Sequence, residues 1–92
     1  MTFIPYEFEF FVTEAEYPKL QAACPGDFPF PYEKFVAIVD QRLEKRLEQV
    51  TTRKAYVDVS EFLAYCAKRR ISPDENARIV FAQFVGNKQI PT

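Results

Sequence analysis

A chain of 92 residues, 48% hydrophobic and 16% aromatic, is too apolar for disorder and the right size for one small domain that buries about 60% of its unfolded surface. Its net charge of -1 conceals a partition: residues 1–33 hold six acids against the single base Lys19, net -5, whereas residues 34–92 hold eleven bases against seven acids, net +4. Such asymmetry points to a surface that docks on something charged. The longest apolar run, Phe35 to Val39, is far short of a membrane span, and the first residues carry neither the basic start nor the apolar stretch of a secretory signal. A cytoplasmic protein with no membrane contact is the expectation, and in that setting Cys24 and Cys66 are expected reduced and buried as small hydrophobes.

In chain order, residues 3–12 alternate as a strand, with Tyr6, Phe8, Phe10 and Val12 on one face and Glu7, Glu9 and Phe11 on the other, which looks open and acidic. Pro18, Pro25, Gly26, Pro29 and Pro31 then leave room only for a short helix, from about Pro18 to Cys24, and a loop to Pro31. From Tyr32 to Val50, Tyr32, Phe35, Val36, Val39, Leu43, Leu47 and Val50 recur at steps of three and four, which predicts a long amphipathic helix. Residues 54–59 alternate as a second strand. Asp58 and Glu61 form a capping box for a helix ending near Arg70, with Phe62, Leu63, Cys66 and Ala67 inward, and Ser72, Pro73 and Glu75 open a last helix that Gly86 stops. The expected fold is a single α+β domain over residues 1–92: a short antiparallel sheet packed against three to four helices. A mostly α fold with an extended N-terminal arm is the alternative.

The absence of histidine removes the usual proton carrier and activator of a Ser or Cys nucleophile, and two distant cysteines cannot build a tetrahedral zinc site. Two glycines, Gly26 and Gly86, write neither a P-loop nor a dinucleotide fingerprint, so no cofactor or metal is expected. Glu7 and Glu9 share one side of a strand, but an open face gives no apolar pocket to separate their pKa values. Ser60 and Ser72 read as helix caps rather than nucleophiles. No enzyme is expected.

The charges of the long helix are sorted: Arg42, Lys45, Arg46 and Gln49 border its apolar stripe on one side, and Asp40, Glu44 and Glu48 on the other. Like charges at i, i+4 oppose helix formation slightly, which suggests a basic docking ridge extended by Arg53 and Lys54. Lys68, Arg69 and Arg70 form the densest cluster, on a last helical turn that favours cations. These eight cations are the candidate contacts for an acidic partner or a nucleic acid backbone, and Glu7, Glu9, Glu14 and Glu16 are candidates for facing basic protein or mimicking phosphate. Residues 60–85 also read as a helix-turn-helix, giving the alternative of a small DNA-binding transcriptional regulator, although Asp74 and Glu75 would lead its recognition helix.

In general character, a short domain with segregated charge and no catalytic residues, the chain is similar to the small inhibitors that phages encode against host machinery, anti-CRISPR proteins among them. The likeness is one of type and carries no residue across. It implies a non-catalytic binding protein that inhibits or regulates a larger protein or ribonucleoprotein complex by occupying its surface.

Overall fold

The computed structural model describes residues 6–46 and 51–89. Strand β1 (Tyr6–Phe11) leads through α1 (Tyr17–Ala23) and α2 (Tyr32–Arg46) to β2 (Thr51–Tyr56), which is followed by α3 (Val59–Arg69) and α4 (Glu75–Gln89). Residues 3–5 of the expected first strand and 47–50 of the expected long helix lie outside the described residues, as do the side chains of Tyr6 and Arg46.

The domain is α+β, but its two strands are parallel rather than antiparallel, paired from Tyr6↔Thr51 to Phe11↔Tyr56. The connection explains the correction. A parallel pair needs a crossover that carries the chain back to its starting end, and α2, with fifteen residues and so about 22 Å long, provides the return. Parallel sheets are covered on both faces. On one face lies α2, with Phe11 stacked on Phe35 at 5.6 Å between centroids. On the other lie α3 and α4, with Phe10 edge-on to Phe62 at 5.2 Å and Phe8 in a cluster with Ala55 and Ala82.

The face of β1 expected to be open is therefore inside: Phe11 is 5% and Glu9 8% exposed. The main core joins Val12, Leu20, Phe35, Val39, Val59 and Phe62. Buried Tyr17 donates to Phe30 O at 2.8 Å and half-buried Tyr32 to Val12 O at 3.0 Å, so each phenol brings its hydroxyl to a backbone acceptor. Both cysteines are buried and free, and burial pushes both thiols above their ordinary pKa.

Helix starts are set by aspartates, not by the two serines. Asp58 Oδ1 accepts from Glu61 N at 3.0 Å, and Asp74 Oδ1 accepts from Ala77 N at 2.9 Å, so α4 begins at Glu75 and Pro73 stays in the turn. Gly86 does not stop α4. It lies within the helix, buried against Phe8. Inward residues of α3 are Val59, Phe62 and Cys66, while Leu63 and Ala67 face outward.

Candidate functional site

Of the expected basic ridge, Arg42 and Lys54 have acidic neighbours in the fold. Arg42 Nη1 lies 3.8 Å from Glu9 Oε2, and Lys54 Nζ lies 3.2 Å from Asp40 Oδ1 and over the Phe11 ring at 4.6 Å. The two charged borders of the α2 stripe are thus answered by the sheet beneath them, Arg42 by an acid of β1 and Asp40 by a base of β2. Lys45 is exposed on the same helix, and Arg53 is exposed on β2 with its own interaction.

The acidic set separates in the same way. Glu9 is 8% exposed and lies beside Arg42. Glu16 is structural: its carboxylate accepts from Val59 N at 2.9 Å, meeting a donor that the start of α3 leaves open, and pairs with Lys19 at 2.9 Å. The hydrogen bond from Lys19 and then that from Val59 hold its pKa below the usual carboxylate value. Glu7 is half-buried with an interaction of its own, and Glu14 is exposed ahead of α1.

The cluster at the end of α3 stands differently. Lys68, Arg69 and Arg70 are all exposed. Lys68 and Arg69 border a groove of about 550 Å³ between α3 and α4, with Tyr65, Phe81 and Phe84 along it and Lys88 on the far side. The Arg69 guanidinium lies 4.0 Å from the Tyr65 ring centroid and the Lys88 ammonium 4.1 Å from that of Phe84. Tyr65 lies 4.9 Å and Phe84 6.2 Å from Phe81, so the buried Phe81 ring links the two rings that carry the cations. Phe84 is 49% and Tyr56 53% exposed, and both border this groove. Asp58 and Glu61 mark the groove's acidic end.

Arg70 carries a further signal. It caps α3 in the left-handed conformation, φ 56° and ψ 44°, its N–H bonded to Ala67 O and Cys66 O, with Ile71 N reaching Cys66 O at 3.0 Å. Helices that end this way usually place glycine there, because a side chain in that conformation costs about 1 kcal/mol. An arginine at this position retains a cation at the expense of stability.

Sequence reasoning singled out Lys68, Arg69 and Arg70 but gave no binding role to Phe84, Lys88 or Tyr65. The available signal was the helical phase of α4: with Ala77, Phe81, Ala82 and Gly86 inward, Phe84 and Lys88 share an outward face at i, i+4. No described helix is long and apolar enough to cross a membrane, and among the described residues no group of three or more His, Cys, Asp or Glu could hold a metal ion. Comparisons with family models, curated proteins and solved structures give no match to this chain.

Proposed function

We propose that this chain is a non-catalytic binding protein that inhibits or regulates a larger protein or ribonucleoprotein complex by occupying its surface, and that the α3–α4 groove is its docking face. The observation that carries the reading is the pair of rings, half-buried Tyr65 and exposed Phe84, each overlaid by a cation and adjoining a strained arginine cap. Its complement is an acidic surface that presents an apolar side chain. The rings supply desolvated contact area at small conformational cost, and the cations steer the approach and pair with carboxylates or phosphates once water is excluded. Among the eight cations expected from the sequence, Lys68, Arg69 and Arg70 hold this role, joined by Lys88.

Support for duplex reading by residues 60–85 is weaker. The outward residues of α4 include the acidic Glu75 at its start and the apolar Ile79, Val80 and Phe84, and its early cation Arg78 is paired with Asp27 at 3.0 Å. A helix with that surface offers phosphates little.

The test is affinity capture of tagged protein from a lysate of the encoding organism, with and without nuclease, beside the variant Lys68→Glu/Arg69→Glu/Lys88→Glu. A defined complex should survive nuclease with the wild type and be lost with the variant. Equal capture by both would refute the groove as the docking face.

A further inference from the structure

The groove between α3 and α4 is built from two matched helical stripes. On the α3 side it is lined by Glu61, Ala64, Tyr65, Lys68 and Arg69. On the α4 side Phe81, Phe84, Val85, Lys88 and Gln89 line it. Each set falls at i, i+3, i+4, i+7 and i+8, the positions that share one face of a helix. The carboxamide of Gln89 accepts from Tyr56 N at 3.2 Å and donates to Tyr56 O at 3.0 Å, so the end of α4 lies beside the residue just ahead of α3 and the two helices run antiparallel. Two antiparallel helices that present such stripes side by side form the seam into which a third helix packs. The seam is open to solvent: Phe84 is half-exposed within it, and Glu61, Lys68, Arg69 and Lys88 are exposed along its rims.

Charge is graded along the seam. Lys68 and Arg69 stand at the end next to the α3–α4 turn, Tyr65, Phe81 and Phe84 occupy the middle, and at the end next to β2 Asp58 and Glu61 outnumber Lys88. A complementary segment therefore carries acids at one end, apolar side chains in the middle and bases at the other end. That order also suits a helix in its own right, since the helix dipole favours acids in the first turn and bases in the last. With its acidic first turn at Lys68 and Arg69, such a helix lies antiparallel to α3, its amide end meeting the carbonyl end of α3. The α3 stripe from Glu61 to Arg69 is about 12 Å long, which about three turns of helix cover.

We propose that the occupant of the α3–α4 groove is an amphipathic helix of a partner protein, about three turns long, acidic at its N-terminal end and basic at its C-terminal end, lying antiparallel to α3. The inference rests on the groove being the docking face and adds the form, charge order and direction of what docks there. Its apolar side chains meet Tyr65, Phe84 and Val85, and its two charged ends fix the direction in which it lies.

The test is to pan a displayed library of random peptides about fifteen residues long, enough for a helix to form on binding, against the full chain, then to measure the recovered peptides by calorimetry and by NMR of the bound peptide backbone. The expected result is peptides with apolar residues at helical spacing, acids ahead of them and bases behind, that are helical when bound. Exchanging the acidic and basic ends of a recovered peptide should weaken binding roughly tenfold. Phe84→Ala, at an exposed position and with its fold checked by thermal melting, should weaken binding by at least as much. In Lys68→Glu/Arg69→Glu the preference between the original and the end-exchanged peptide should reverse. The proposal is overturned if no peptide is selected, if the bound peptides are extended, or if exchanging their ends changes nothing; loss of lysate capture with Lys68→Glu/Arg69→Glu/Lys88→Glu would in each case still leave the groove as the docking face. Peptides that bind this triple variant as well as the wild type would overturn both. The proposal is likewise overturned if sedimentation shows wild-type dimers that Phe84→Ala dissociates, since the occupant would then be a second copy.

Discussion

The ring of Phe8 lies directly on the backbone of Gly86, so close that a Cβ at residue 86 would fall inside the ring's contact distance. This contact brings α4 down onto the sheet and sets the position of the outward face that carries Phe84 and Lys88. Alanine favours helix over glycine by about 1 kcal/mol, but here overpacking outweighs that preference. Gly86→Ala should destabilise the domain by about 1–3 kcal/mol in urea denaturation, and combining it with Phe8→Leu should recover part of the loss, since the two sites share one contact.

Arg42 is expected to matter for folding rather than for docking. Its neighbour Glu9 is buried, and replacing the cation with an acid sets two carboxylates against each other at the edge of a buried layer. Arg42→Glu should cost about 1–2 kcal/mol of stability, whereas Lys45→Glu, at an exposed position on the same helix, should stay within about 0.5 kcal/mol. Chemical denaturation of the two variants side by side distinguishes an internal pair from a free ridge.

Arg70 should show the opposite trade. Arg70→Gly relieves the left-handed cap and should raise stability by about 1 kcal/mol while weakening partner binding. Thermal melts and affinity capture on the same variant read the two effects separately. A variant that is more stable and binds equally well would show that the arginine has no role at the interface.

Glu16 gives the domain a pH dependence of defined sign. Lys19 and the Val59 amide depress its pKa in the folded state, so its contribution is present above the ordinary carboxylate value and is lost as pH falls through the depressed one. The difference in denaturation midpoint between wild type and Glu16→Gln should be constant from about pH 7 to pH 5 and should close below about pH 4. A gap that widened on acidification would contradict the assignment.

The helices were legible in the sequence because each signals itself locally: α2 by its apolar spacing, α1 by Pro18 and the proline-rich loop after it, α3 by Asp58 and Glu61. The direction of the strands was not, because it depends on where α2 returns the chain. The same error hid the burial of Glu9, since an antiparallel hairpin can leave one face wet and a parallel crossover unit covers both. Charge sorting on α2 was legible, but the neighbours of Arg42 and Asp40 were not, because Glu9 and Lys54 lie in the sheet opposite. At the α3 terminus the cations were visible as a run, whereas the rings beneath them, Tyr65 and Phe84, come from two helices that only tertiary packing brings together.

The most direct measurement is site-specific photo-crosslinking in lysate of the encoding organism, with a benzophenone side chain at Phe84 in one sample and at Glu33, exposed at the start of α2, in another. The account predicts a defined protein adduct from position 84 that persists after nuclease treatment and is absent from position 33. An adduct confined to position 33, or one from position 84 that vanishes with nuclease, would contradict the α3–α4 groove as the face that docks on protein.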